Sequence, residues 1–176
     1  MTSAGELSER ARRLRENFDA SFAQAPAGVE AGVVDFLIVT AGADRYALRL
    51  SEIASVHVEH KVTRVLSPLP ELLGLADFRG ILTPIYAVAA LLGRSTDHAP
   101  RFLVVARHAQ PVGFAFSGLE RHSRVALSEL ALEDVAEDPF TLGAIRFGGS
   151  TLRILRLTSL VDDLARRVES LATKER

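Results

Sequence analysis

The sequence contains no cysteine and no tryptophan. Without cysteine, the chain cannot form a disulfide, a thiolate nucleophile or a cysteine-ligated zinc or iron–sulfur site. It also has little net charge: 21 basic and 22 acidic residues give −1, and because the two kinds are interspersed, no basic patch indicates nucleic-acid binding. The longest apolar run, Ile85 to Leu92, has eight residues, whereas a membrane-spanning helix needs about 20. Composition therefore excludes thiol chemistry and favours neither a nucleic-acid nor a membrane partner.

The sequence does contain enough apolar material for a folded core. Of its 176 residues, 48% are hydrophobic and 24% are charged, which is typical of a globular protein. The length suits one domain or two small interlocked ones. Glu6 and Glu9 lie where a signal peptide needs its apolar segment, so we expect a soluble cytoplasmic protein.

Residues 1–32 predict an amphipathic helix followed by a linker. Apolar residues recur at steps of three and four, as on one helix face: Leu7, Ala11, Leu14, Phe18 and Phe22. Pro26, Gly28 and Gly32 then indicate the linker. Such a helix either docks on its own domain or offers its apolar face to a partner or a second copy, and the sequence leaves these alternatives open.

Residues 33–176 predict a mainly β domain. Short apolar segments separated by turn residues favour a barrel or sandwich over alternating strands and helices. The predicted strands are 33–40, 45–50, 54–58, 62–66, 75–78, 81–88, 101–107, 112–116, 125–127, 142–147 and 151–157. Because proline cannot donate to a sheet, the strand with Pro84 is predicted at an edge or a bulge. A helical turn is predicted at 88–92 and a C-terminal helix at 159–172.

No pattern of residues indicates catalysis or a cofactor. The chain lacks a phosphate-binding loop, a dinucleotide fingerprint and a nucleophile elbow. On a predicted strand, His57 and His60 would lie on opposite faces, which is unsuitable for a shared metal. His122 and Ser123 would also point apart, with no acid obviously positioned to orient the imidazole. A small hydrolase using His122 or Ser123 stays open as an alternative, but we predict no enzyme, no cofactor and no metal site.

The segment around Arg79 is the most informative part of the chain. Phe78-Arg79-Gly80 lies between two apolar strands, where the glycine permits a tight reversal and Arg79 projects from the turn. The only acid nearby in sequence is Asp77, which is placed to occupy the guanidinium in part. Arg79 is therefore predicted to be available to a partner.

The residues around this turn resemble the signature of the CheW-like family, the coupling proteins of bacterial chemosensory arrays. The matching residues, in the family's order and spacing, are Gly74, Asp77-Phe78-Arg79-Gly80, Leu82-x-Pro84-Ile85 and Leu92-Gly93. Weaker similarity extends through residues 36–50, 102–116 and 142–155. The N-terminal helix lies outside the common core.

The resemblance implies two intertwined five-stranded SH3-like β-barrels, the second beginning near residues 88–101, with an N-terminal and a C-terminal helix. It implies an adaptor without catalysis. The implied partners are the cytoplasmic tip of a chemoreceptor (methyl-accepting chemotaxis protein) and the regulatory domain of a CheA-type histidine kinase. The implied location is the cytoplasm, in association with membrane-bound chemoreceptor arrays.

The resemblance also implies which residues bind the partners. Arg79 matches the family arginine that is important for receptor binding. The expected receptor contacts are this arginine and its turn: Phe78, Arg79, Gly80 and Ile81. A surface facing the kinase or the receptor is implied around Ala47, Leu48 and Val56.

The chain departs from the family pattern at several positions, so it resembles a divergent member. Ala87 replaces the family's Asp after Pro-x-Ile, Asp77 replaces the usual Asn of the arginine turn, and Ser55 replaces a common Glu. These changes keep open an accessory protein that binds only the receptor or only the kinase.

Overall fold

The computed structural model describes residues 32–95, 99–131 and 139–174. The predicted N-terminal helix lies outside these residues. Within them the elements follow in chain order: β1 (Val33–Ala41), β2 (Asp44–Arg49), β3 (Ile53–Val58), β4 (Leu72–Phe78), β5 (Ile81–Ala87), α1 (Val88–Leu91), β6 (Phe102–Ala106), β7 (Gly113–Phe116), β8 (Gly118–Ala126), β9 (Leu130–Ala131), β10 (Thr141–Phe147), β11 (Ser150–Leu155) and α2 (Leu157–Lys174).

The strands form two sheets that draw on alternating stretches of the chain. The six-stranded sheet has the order β8-β1-β2-β11-β10-β9, and the five-stranded sheet has the order β3-β6-β7-β5-β4. The chain leaves the first sheet at a 3₁₀ turn, Leu50–Glu52, and returns to it at Ser117. The pairs β2–β11 and β5–β7 are parallel. The predicted mainly β fold with two sheets and a C-terminal helix is confirmed.

In each sheet, a segment of the chain brings the two edge strands near each other. In the six-stranded sheet, the edge strands β8 and β9 are separated only by the 3₁₀ turn Leu127–Glu129, and this interruption accounts for six strands where five were predicted. In the other sheet, Thr63 follows edge strand β3 and exchanges two backbone hydrogen bonds with Leu75 on edge strand β4, each 2.8 Å. The predicted strand at 62–66 is wrong, since it is reduced to this single bridge.

The two sheets contain a repeated hairpin. In both copies a bulged strand, a two-residue turn and a second strand lead into a helix, giving β4-β5-α1 and β10-β11-α2. The bulge lies at equivalent glycines, Gly74 with φ +146° and Gly143 with φ +151°. A Cβ at Gly74 would lie 2.1 Å from the carbonyl oxygen of Thr63, so only glycine permits the close approach that forms the bridge. The turns of the two copies are Arg79-Gly80 and Gly148-Gly149.

The apolar residues divide among three clusters because several strands are buried on both faces. On β1, Phe36 and Ile38 join a cluster within the six-stranded sheet, while Leu37 and Val39 join a large cluster shared by both sheets and α2. A third cluster, within the five-stranded sheet, contains Ala76, Ile85, Leu103 and Ala115. Burial on both faces explains why these strands are continuous apolar runs without alternation.

Pro84 lies in an interior strand, so the predicted edge position is wrong, whereas the predicted alternative, a bulge, lies beside it on the paired strand between Leu72 and Gly74. β5 pairs with β4 on one side and β7 on the other. The residue opposite Pro84 on β4 is Leu75, whose backbone N–H and C=O both bond to Thr63 instead. Pairing with β7 begins one residue later, at Ile85. The missing N–H of Pro84 therefore costs the sheet no hydrogen bond with Leu75.

Candidate functional site

The β4–β5 hairpin turns on two residues, Arg79 and Gly80. Phe78 pairs with Ile81 across it, and φ is +55° at Arg79 and +83° at Gly80. Positive φ at both central positions is typical of a type I′ turn, whose twist suits two antiparallel strands. Gly80 adopts this conformation at no steric cost, whereas at Arg79 it costs about 1 kcal/mol because of the Cβ.

Asp77 fixes the turn through its carboxylate. The backbone N–H of Gly80 donates a hydrogen bond to Asp77 Oδ1 at 2.7 Å. A carboxylate or amide oxygen three residues before the donor is a common way to stabilise a tight turn. Asp77 therefore supports the backbone of the turn, and it forms no ion pair with Arg79.

The Arg79 side chain is exposed and available. It makes no hydrogen bond or ion pair with any residue in the described part of the chain, whereas Arg45, Arg101 and Arg167 each pair with a carboxylate. The equivalent turn of the repeated hairpin has Gly148 at this position. An arginine thus occupies a left-handed position that the second hairpin fills with glycine, and backbone strain of this kind clusters at functional sites.

Two histidines pack on the aromatic ring that precedes the turn. The ring centroid of Phe78 lies 4.2 Å from that of His57 and 4.6 Å from that of His60. His57 lies on β3, and Glu59, with φ +50°, bends the chain just beyond it. That bend brings both imidazoles to the same side, so the predicted placement on opposite faces is wrong.

Each of these histidines also has a polar contact. His57 Nε2 lies 2.9 Å from Ser55 Oγ, and His60 Nε2 lies 2.9 Å from the backbone oxygen of Asp77. Burial, followed by the neighbouring His60 and Arg79, lowers the pKa of His57 below its ordinary value. The turn is therefore packed from one side by a cluster of rings, which we call the histidine cluster: His57, His60 and Phe78.

Exposed apolar side chains surround the turn. Ile81 is 57% exposed and Leu82 is 66% exposed, and on β3 Val58 is 59% exposed. An unpaired guanidinium with exposed aliphatic side chains beside it on the same hairpin is the combination typical of a protein-binding hot spot. The site suits recognition of another protein.

A family model described as CheW-like domain matches residues 35–165. The chain belongs to the CheW-like domain family. Among solved structures it is similar to the scaffolding protein TtCheW from Thermoanaerobacter tengcongensis, with a TM-score of 0.64 and 11% identity over 70% of this chain and 88% of that one. At this identity the likeness concerns the fold. No curated protein matches the chain.

Membership of the CheW-like family confirms the resemblance predicted from the sequence, and it supports a scaffold or adaptor role in chemotaxis. The predicted receptor contacts of this CheW-like protein meet at one turn: Phe78, Arg79, Gly80 and Ile81. Their role in binding stays a prediction. None of the helices in residues 32–95, 99–131 and 139–174 is both long and apolar enough to cross a membrane.

The second predicted surface needs correction. Ala47 and Leu48 have no exposed area, because Ala47 points into the cluster within the six-stranded sheet and Leu48 into the cluster shared by both sheets. Their side chains cannot contact a partner on the surface. Val56 is 37% exposed on edge strand β3 and stays a predicted contact.

His122 has a partner that the sequence does not predict, and no nucleophile among the described residues contacts it. Its Nε2 lies 2.6 Å from Asp35 Oδ1 on the neighbouring strand β1. The His122 side chain is 49% exposed, and Ser123, next to it on β8, is not among its partners in the described structure. The pair is a surface contact between strands β8 and β1. The described residues also contain no cluster of three metal-ligating side chains.

Proposed function

We propose that this CheW-like protein is a cytoplasmic scaffold that couples chemoreceptors to a CheA-type histidine kinase, with Arg79 at the receptor contact. The observation that carries the proposal is an exposed arginine in a left-handed conformation, paired with none of the described residues, at a turn that lies within the family match and resembles the family motif. The family membership and the fold support the adaptor role.

Binding at this site follows from the chemistry of the turn. The guanidinium offers several N–H donors to a carboxylate or carbonyl group on the receptor. Ile81 and Leu82 offer exposed aliphatic surface beside it. Because Asp77 and the histidine cluster hold the turn before binding, little conformational freedom is lost when the partner arrives.

Co-sedimentation with receptor-containing membranes tests this proposal. Arg79→Ala is expected to weaken binding by about 2 kcal/mol or more, as for a hot-spot arginine. The matched control is Arg124→Ala, which removes another exposed arginine, one that pairs with Asp35 on the six-stranded sheet. Equal binding of wild type and Arg79→Ala would remove Arg79 from the receptor site.

Coupling requires a second partner, and separate titrations test it. We expect the protein to bind both a receptor tip fragment and the kinase regulatory domain. A Val56→Asp variant places a charge in the exposed apolar stripe of β3 and is expected to weaken one of these two complexes. Binding to only one partner by the wild type would instead identify an accessory protein.

A further inference from the structure

We propose that His57 and His60 are positioning residues for the Arg79 turn, and that receptor binding requires the His57 imidazole to be uncharged. The inference rests on the proposed function for its partner, but the positioning itself concerns the free protein. Its basis is the geometry of the histidine cluster, in which the His57 and His60 ring centroids lie 5.4 Å apart with Phe78 packed against both.

His60 acts on the turn through Asp77. A backbone carbonyl oxygen only accepts hydrogen bonds, so the 2.9 Å contact requires a proton on His60 Nε2. The same ring stacks on Phe78 with an interplanar angle of 25°. The Asp77 carboxylate accepts the hydrogen bond from the Gly80 N–H that closes the turn. His60 therefore holds the backbone of Asp77, the same residue whose side chain stabilises the turn.

His57 supports the other side of the Phe78 ring. It lies on β3, contacts Ser55 Oγ and is partly shielded from solvent. A proton added to His57 would place positive charge against a second imidazole and beside Arg79, and burial, followed by these two neighbours, lowers the pKa of His57. The packed arrangement therefore disfavours protonation of His57, and protonation of His57 in turn destabilises its packing against Phe78.

The surrounding charges do not offset that effect. The charged groups around the cluster are Glu59, Lys61, Arg64 and Arg101 from the loop and β6 side, and Asp77 and Arg79 from the hairpin. Glu59 already pairs with Arg101 at 2.6 Å, and Asp77 accepts from Gly80 N–H. The Asp77 carboxylate keeps its negative charge near His60, whereas the neighbours whose charges act on His57 are His60 and Arg79, and both disfavour its protonation.

The sign of the pH dependence follows from linkage. A histidine whose pKa is lowered by folding favours the packed state above its unfolded value, and that contribution is lost as the pH falls through the lower folded value. If the packed turn is also the form that binds the receptor, acid weakens binding. The loss approaches about tenfold per pH unit for each proton that must leave.

The test is calorimetric titration of full-length protein with the cytoplasmic hairpin fragment of a chemoreceptor encoded in the same genome. We expect wild-type affinity to fall by more than about twofold but less than about tenfold from about pH 7.5 to about pH 5.5, because folding lowers the pKa of His57. The double variant His57→Gln, His60→Gln keeps an N–H donor toward Asp77 but cannot titrate, so its affinity is expected to change by less than about twofold. His57→Gln alone serves if the double variant does not fold, because it removes the imidazole whose protonation is invoked and keeps the His60 contact with Asp77.

His122→Gln is the matched control, because it removes a histidine on the other sheet and must retain the wild-type pH dependence. Titration of the receptor itself affects all these proteins alike. The inference is overturned if wild-type affinity is the same or higher at the acidic pH, or if the glutamine variants lose affinity as wild type does.

An NMR titration of the free protein separates this inference from the proposed function. The Gly80 amide and Phe78 ring signals are expected to shift with the same midpoint as the His57 imidazole, and to show no such shift in the glutamine variants. If the receptor fragment binds at neither pH, the proposed function fails while this measurement still decides the positioning role. If the Gly80 and Phe78 signals do not change when the histidines titrate, the positioning role is overturned even if the receptor binds.

Discussion

Glu52 Oε2 accepts a hydrogen bond from the backbone N–H of Leu157 at 2.6 Å, across 105 residues of sequence. Leu157 begins α2, and the first N–H groups of a helix have no acceptor within it. Glu52 belongs to the 3₁₀ turn at which the chain leaves the six-stranded sheet. The crossing between the sheets is thereby joined to the start of the C-terminal helix.

Glu52→Ala is expected to lower the free energy of unfolding by about 1 kcal/mol, as for loss of a helix cap. Urea denaturation measures the change. Glu129→Ala is the matched control, because Leu127-Ser128-Glu129 repeats the same tripeptide in the second 3₁₀ turn and Glu129 makes no hydrogen bond to another described residue. Equal losses in the two variants would show that the contact with Leu157 does not stabilise the fold.

Substitutions of Arg79 are expected to separate stability from binding. Arg79→Gly and Arg79→Ala both remove the guanidinium, so both should lose receptor affinity. Because φ is positive at this position, the glycine variant is expected to be more stable than the alanine variant by about 1 kcal/mol. Thermal denaturation compares them. A less stable glycine variant would contradict the left-handed conformation.

Asp77→Asn and Asp77→Ala test the acceptor in the turn. Asparagine keeps an oxygen where Asp77 Oδ1 receives the Gly80 N–H, so Asp77→Asn should retain stability and receptor binding. Asp77→Ala removes the acceptor and is expected to cost about 1 kcal/mol of stability and to weaken binding. Denaturation together with co-sedimentation checks both. Loss of binding in the asparagine variant would show that the negative charge, and not the hydrogen bond, matters.

The contact between Asp35 and His122 predicts a measurable titration. The hydrogen bond from His122, opposed by partial desolvation and aided by Arg124, lowers the pKa of Asp35 below its ordinary 3.8. The contribution of Asp35 to stability is therefore present above about pH 3.8, and it is lost as the pH falls through the lower pKa of Asp35 in the folded protein. His122→Ala should raise the pKa of Asp35, as followed by the carboxyl carbon signal in NMR.

His108→Ala is the control for that titration, since His108 contacts only its own loop through the Gln110 N–H in the described structure. It should leave the pKa of Asp35 unchanged. An Asp35 titration that is identical in wild type and His122→Ala would show that the pair does not form in solution.

The sequence predicts those features of the site that depend on neighbouring residues better than those that depend on residues distant in the chain. The turn at Arg79-Gly80 follows from a glycine between two apolar segments, and the structure has it where predicted. The histidine cluster does not follow, because it depends on the positive φ of Glu59, a residue with no special preference for that conformation. The error at Ala47 and Leu48 has a similar cause: burial on both faces requires a second sheet that local pattern does not show.

Strand β8 shows the same limit in the fold. The sequence predicts only the end of this strand, at 125–127, because residues 120–124 are polar and lack the apolar pattern of a strand. In the structure β8 spans Gly118–Ala126, and Glu120 and His122 bind Arg45 and Asp35 on the adjacent hairpin. Partners 75 and 87 residues away hold this segment extended, and no local pattern reports them.

The alternation of the two sheets along the chain also bears on synthesis. β1 and β2 leave the ribosome first, yet β2 pairs with β11, and β11 ends at Leu155. The five-stranded sheet, by contrast, lies wholly within residues 53–116. During translation the five-stranded sheet can therefore complete its pairing first, while the β1–β2 hairpin waits until residues 150–155 have been made. Such distant pairings slow folding, and truncation before Ser150 would leave one edge of β2 unpaired.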